Sequence, residues 1–206
     1  MKLPPEELEK HGYRVIDQLQ HQDIIPFVQK GLKLKNRYTR AYLFFNLIFL
    51  SALLLKLFLC WKAEDFSFAD ALSYVSYGVV MALLLIPIHE YIHVLAYRQV
   101  GASNTSYDAN LRKFYFMAVA DRFVANLQEF RIVALAPFVS VSSVLLCLLL
   151  FAGPWWSLSF WAMLLTHTAF CSGDFGLLAY MYANRRQGMV TYDDKQSKMS
   201  YFLIKE

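Results

Sequence analysis

Four long apolar stretches alternate with polar links along this chain of 206 residues. Each stretch reaches or exceeds the roughly 20 residues that a helix needs to cross a bilayer. The pattern therefore predicts an all-α membrane protein of about four transmembrane helices with polar ends. The predicted spans are Ala41–Cys60, Tyr74–Tyr97, Ile132–Phe151 and Trp155–Tyr182.

The polar segments divide the chain into three predicted parts. They are an N-terminal cytoplasmic segment over residues 1–39, a four-helix membrane domain over residues 40–183 and a cytoplasmic tail over residues 184–206. In the first part, apolar residues are mixed with lysines from Asp23 to Tyr38. This mixture fits an amphipathic helix on the membrane surface and equally a solvated basic linker.

The link between the second and third spans contains two β-prone runs, Phe114–Met117 and Arg122–Ala125. Short β-prone runs around a polar residue, here Asp121, are typical of a hairpin. The sequence therefore predicts a short surface β-hairpin between these two helices.

The composition is that of a membrane protein. Hydrophobic residues make up 57% and charged residues 17% of the chain, against about 45–50% and about 25% in soluble domains. The basic residues behind the net charge of +4 crowd the ends of the apolar stretches, which predicts that both termini are cytoplasmic. We expect an integral membrane protein, with the lipid bilayer and no nucleic acid as partner.

The second predicted span carries His89, Glu90 and His93 in its later half. Residues four apart share one face of a helix, so both imidazoles can point at one metal ion. Two histidine ligands with a glutamate as general base are typical of zinc metalloproteases. The same residues could also occur as a chance match, or as core histidines that are satisfied by hydrogen bonds. Ionisable groups in an apolar span, however, need a metal, a proton or a partner, which favours a metal site.

Pro87 lies two residues before this motif. Its missing N–H removes the usual helical partner of the Leu83 carbonyl, so the sequence predicts a kink. Such a kink lines a water-filled cavity in some membrane proteins and is a plain bend in others. The sequence leaves both outcomes open.

A third ligand is expected because catalytic zinc usually has three protein ligands and one open position. Asp174 lies eleven residues before Arg185, and His89 lies nine residues before Arg98. At about 1.5 Å per residue, both lie roughly 13–16 Å from the cytoplasmic end of their spans. Depth and charge therefore predict Asp174 as the third ligand. The alternative is a protonated or serine-bonded aspartate that packs helices.

Two further residues near Asp174 are candidates for the site. His167 lies seven residues earlier, on roughly the same helix face. It could be a substitute ligand, a group that orients a ligand, an oxyanion donor or a histidine that packs helices. Ser172 could orient Asp174 through a hydrogen bond. The chain has three cysteines, at Cys60, Cys147 and Cys171. Their spacing does not indicate a pair, so no disulfide framework is predicted.

Three motifs together resemble the putative zincin peptidase family, small bacterial membrane proteins related to the site-2 protease class of intramembrane metalloproteases. The motifs are His89–His93, Ala134–Phe138 and Ser172–Asp174, within roughly residues 75–182. The resemblance implies zinc at His89, His93 and Asp174, with Glu90 catalytic, and a place in the bacterial cytoplasmic membrane. The chain departs from site-2 proteases after the aspartate, where Phe175 replaces their usual glycine.

The expected function is hydrolysis of peptide bonds in membrane proteins or peptides by a zinc-activated water, with Glu90 as general base. The substrate must be extended, and an edge of the Phe114–Val124 region is predicted to hold it as an added strand. The alternative is an inactive zinc-binding membrane scaffold that binds partners. A transporter is disfavoured, because the first and third spans contain few polar residues. The same ligands could also hold cobalt or iron.

Overall fold

The computed structural model describes residues 3–62, 67–110, 112 and 115–206, and the protein is mostly helical (66%). The helices are α1 (Ile24–Leu32), α2 (Arg37–Trp61), α3 (Phe68–Leu84), α4 (Ile86–Gln99), α5 (Leu127–Leu149), α6 (Pro154–Phe170) and α7 (Ser172–Ala183). The strands are β1 (Tyr13–Gln20), β2 (Thr105–Asn110), β3 (Tyr115–Ala120), β4 (Ala125–Asn126), β5 (Val190–Asp194) and β6 (Met199–Lys205).

Two of the described helices, α2 and α5, are long and apolar enough to cross a membrane. The bent pair α3 and α4, which carries the histidine motif, adds a third if it counts as one span. The fourth predicted span is interrupted between Phe170 and Ser172. Cys171 has ψ 6°, which takes its backbone out of the α-helical region. The prediction of four transmembrane helices with the motif in the second is therefore not confirmed.

The bend predicted at Pro87 is present. Helices α3 and α4 meet at Leu85 with an angle of 40°. Pro87 lies in the first turn of α4, where a missing N–H costs little. The N–H of His89 still donates to the carbonyl of Leu85 at 2.8 Å, so the helical hydrogen bonding is intact where the motif begins.

The chain forms two compact units, and one of them comprises Arg40–His89 and Pro137–Ser172. Within it, α3 packs closely against α6 at Gly78. A Cβ added at Gly78 would lie 2.2 Å from the carbonyl oxygen of Ser159. The Ser159 hydroxyl donates to the carbonyl of Tyr74 at 2.6 Å. Small residues and an interhelical hydrogen bond of this kind hold apolar helices together.

The other unit comprises Met1–Thr39, Glu90–Ala136 and Gly173–Glu206. It contains a four-stranded antiparallel sheet in the order β1-β6-β5-β4. This sheet corrects the all-α prediction, because the N-terminal segment and the tail pair with each other, for example Tyr13 with Lys205. Local periodicity can indicate a strand, but it does not identify a pairing partner at the other end of the chain.

The hairpin between the second and third apolar stretches is confirmed, although its strands differ from those predicted. Strands β2 and β3 are antiparallel, and Thr105 pairs with Ala120 at one end of the hairpin. Phe114 lies outside the described residues. The predicted second strand is wrong, because Arg122 has a positive φ of 58° and Ala125 pairs with Thr191 of the four-stranded sheet.

Helix α1 lies within the stretch for which a surface helix and a linker were both open. Its buried residues include Phe27, which stacks on Phe202 with ring centroids 5.0 Å apart. Phe27 also meets Tyr180 edge-on at 4.9 Å. The linker interpretation is therefore wrong, and this helix buries apolar side chains against α7 and β6. Its position on a membrane surface remains a prediction.

Candidate metal centre

Helix α4 places the three polar residues of the motif on one turn and buries all of them. His89, Glu90 and His93 are each exposed by only 7–8%. One potential ligand atom from each lies within 4.8 Å of the other two. Buried ionisable groups are costly unless they are paired or bind a metal. This turn of helix could hold a metal ion.

The imidazole of His93 is held on both sides. Its Nδ1 lies 3.0 Å from the carbonyl oxygen of Val133 in α5. Its Nε2 lies 3.0 Å from Oδ1 of Asp174 in α7. A carbonyl accepts hydrogen bonds only, so Nδ1 carries the proton and Nε2 faces the carboxylate. This arrangement brings the predicted third ligand to the second histidine of the motif.

His89 contacts a second histidine rather than a carbonyl. Its Nδ1 lies 3.2 Å from Nε2 of His167 near the end of α6. His167 is almost fully buried, with 1% exposure. Of the roles considered for His167, the described contact fits a group that orients the His89 ring.

Glu90 is held by the hairpin. The backbone N–H of Ala118 in β3 donates to Oε2 of Glu90 at 2.7 Å. This contact and the one with the Val133 carbonyl could not be predicted from the sequence, because a backbone group has no signature in the residue letters. Both contacts fix the orientation of a motif side chain.

Asp174 and Ser172 lie in the first turn of α7. The positive end of a helix dipole favours a carboxylate at such a position. The hydroxyl of Ser172 lies within hydrogen-bonding reach of the Tyr42 hydroxyl. Orientation of Asp174 by Ser172 remains a prediction.

The contact between His93 and Asp174 suits zinc. The metal-capable groups among the described residues join His89 to Glu90 and His93, or to His167 and Cys171, and neither group includes Asp174. Nδ1 of His93 donates to the Val133 carbonyl, which makes Nε2 of His93 the nitrogen that could ligate an ion. The 3.0 Å between His93 Nε2 and Asp174 Oδ1 is close to the ~3.3 Å that separates neighbouring ligand atoms around tetrahedral zinc. Two imidazoles and one carboxylate also form a known catalytic zinc set.

Comparison with known protein families gives a match that covers the candidate site. A family model described as putative zincin peptidase matches residues 82–188, about half of the chain. The matched part contains the histidine motif, His167 and Asp174. No curated protein and no solved structure matches the chain.

Proposed function

Since the chain belongs to the putative zincin peptidase family, we propose that it is a zinc metallopeptidase that hydrolyses membrane-associated substrates within or near the bilayer. His89, His93 and Asp174 would hold the ion, and Glu90 would be the general base. The contact between His93 Nε2 and Asp174 Oδ1 carries the proposal, because it joins the motif to a carboxylate more than eighty residues away in sequence.

Bound zinc supplies a Lewis acid that polarises the scissile carbonyl and lowers the pKa of water. Glu90 takes the proton of the attacking water and passes it to the leaving amine. The hydrogen bond from Ala118 fixes the Glu90 carboxylate, so the proton is accepted at a defined position. Val133 and His167 keep the rings of His93 and His89 in fixed orientations.

The membrane setting is supported by the apolar helices. Most of the large hydrophobic side chains of α2 are exposed, including Leu43, Phe44 and Leu47. A contiguous exposed apolar surface of this kind suits lipid rather than water. This setting and the apolar residues that flank the motif support cleavage within or near the membrane.

The hairpin is the proposed substrate clamp. The N–H of Ala118 points to Glu90 and not to β2, so this edge of β3 runs beside the proposed base. An extended peptide added along that edge would bring its backbone close to Glu90, in the manner of β-augmentation.

The test uses the purified protein in proteoliposomes with a set of single-span membrane peptides, and cleavage is read by mass spectrometry. We expect cleavage that a zinc chelator abolishes and added zinc restores. Asp174→Ala should lose both zinc and cleavage, whereas Asp23→Asn at an exposed position should keep both. Cleavage that survives chelation would contradict the proposal. Zinc binding without cleavage of any peptide would favour the scaffold.

A further inference from the structure

His167 and Cys171 lie one helical turn apart at the end of α6, and His89 meets them there. One potential ligand atom from each of the three lies within 4.8 Å of the other two. Their exposures are 8% for His89, 1% for His167 and 0% for Cys171. All three belong to the same compact unit. A buried cluster of two imidazoles and a thiol is chemically distinct from the set built on Asp174.

We propose that His89, His167 and Cys171 form a second cation site, selective for a thiophilic d10 ion such as Zn2+ or Cu+. Soft thiolate and borderline imidazole ligands together favour these ions over hard cations that prefer oxygen. Nδ1 of His89 and Nε2 of His167 lie 3.2 Å apart and can share one proton. When both nitrogens bind the ion, each neutral ring carries its proton on its other nitrogen, Nε2 of His89 and Nδ1 of His167. The thiol of Cys171 loses its proton to solvent when its sulfur binds the ion.

The end of α6 explains why the cysteine is in place. The N–H of Cys171 donates to the carbonyl of His167 at 3.1 Å, which completes the last turn. Because Cys171 lies four residues after His167, the two residues are on the same face of the helix. The structure also places no other cysteine in a metal-capable group among its described residues. Cys60 packs in an apolar cluster, and Cys147 is exposed.

His89 is shared between this site and the proposed catalytic set. An ion bound through Cys171 is held by a group that does not include Glu90 or Asp174. If the proposed function holds, occupancy of the sulfur site withdraws His89 from catalysis and lowers peptide cleavage. The site itself does not depend on that function.

Co2+ is the probe, because a cobalt–thiolate bond gives a near-ultraviolet charge-transfer band that nitrogen and oxygen ligands do not give. The full chain is purified in detergent as His93→Ala, which removes a ligand of the catalytic set and keeps all three sulfur-site residues. We expect one Co2+ per chain and a charge-transfer band. The band should be lost in His93→Ala/Cys171→Ser and kept in the matched His93→Ala/Cys147→Ser.

Cobalt binding by His93→Ala without the band, no cobalt binding, or a band that survives Cys171→Ser overturns the proposal. If His93→Ala does not elute as a folded protein, Asp174→Asn takes its place with the same expected and contradicting results. Failure of the proposed function is seen separately, as wild-type protein that cleaves no peptide, and it leaves the cobalt result unaffected.

Discussion

The backbone N–H of Ala118 donates a hydrogen bond of 2.7 Å to Oε2 of Glu90. The two residues lie on different elements, β3 and α4, and both are buried. A hydrogen bond to a buried carboxylate is stronger than one between neutral groups. The hairpin thus helps to set the orientation of the proposed general base.

Replacing Ala118 with proline removes this donor. The Ala118 N–H does not pair with β2, so proline can be accommodated on this strand edge. We expect kcat to fall by about 10-fold or more, part of the 10²–10⁴-fold that a positioned general base contributes. Zinc content should stay at the wild-type level. Ala118→Gly keeps the N–H and serves as the control; equal loss of kcat in both variants would refute the role of the hydrogen bond.

His167 should act on metal affinity through His89. His167→Ala removes the partner of His89 Nδ1, and loss of such a partner typically weakens metal binding by about 10–100-fold. The measurement is zinc affinity by competition with a chelator, in a Cys171→Ser background so that the thiol does not contribute. His167→Gln, which retains an acceptor, should recover part of the loss. Thr168→Ala is the control on the neighbouring buried residue, and an affinity unchanged by His167→Ala would contradict the prediction.

Gly31 and Gly176 bring α1 and α7 into backbone contact. A Cβ added at Gly31 would lie 2.1 Å from the carbonyl oxygen of Gly176. We expect Gly31→Ala to lower the free energy of unfolding by about 1–3 kcal/mol, the usual cost of overpacking. Gly153→Ala, where the added Cβ meets nothing within 4 Å, is the control. Thermal unfolding measures both, and a Gly31→Ala variant as stable as wild type would refute this close approach.

The charge of the Asp108 carboxylate is expected to make the stability of the protein depend on pH. Burial opposes its charge, but hydrogen bonds from His21 at 2.7 Å and Lys198 at 3.2 Å outweigh it and hold the pKa of Asp108 below its usual value. Its ionised form therefore adds stability above the unfolded-state pKa of about 4, and this stability is lost as the pH falls through the lower folded-state pKa.

Asp108→Asn should lower the unfolding temperature at pH 7, by the equivalent of about 1.5–3 kcal/mol for a hydrogen bond to a charged group. The difference from wild type should shrink at pH 3. Asp23→Asn, at an exposed position, is the control. An equal difference at both pH values would show that the charge of Asp108 does not contribute.

The sequence was sufficient for features that depend on local pattern. The apolar runs predict α2 and α5, and the four-residue spacing of His89 and His93 predicts a shared helix face. Pro87 predicts the bend between α3 and α4 because a missing N–H acts on its own helix. Each of these features arises from residues that are close in sequence.

Features that depend on distant partners were not predicted. The pairing of β1 with β6 joins Tyr13 to Lys205, and neither segment is apolar enough to stand out beside the membrane helices. The break at Cys171 was not predicted, because the segment around it, including Ser172, Gly173 and Asp174, was interpreted as part of one span. The backbone contacts from Val133 and Ala118 depend only on the fold, and side-chain chemistry does not reveal them.

The central claim is tested most directly by Glu90→Gln, with zinc content and peptide cleavage measured on one preparation. The change keeps the size of the side chain and removes the base. We expect zinc at the wild-type level and cleavage reduced by about 10²–10⁴-fold, while the exposed control Glu9→Gln keeps both. Wild-type cleavage by Glu90→Gln would contradict the assignment of Glu90 as general base of a zinc metallopeptidase.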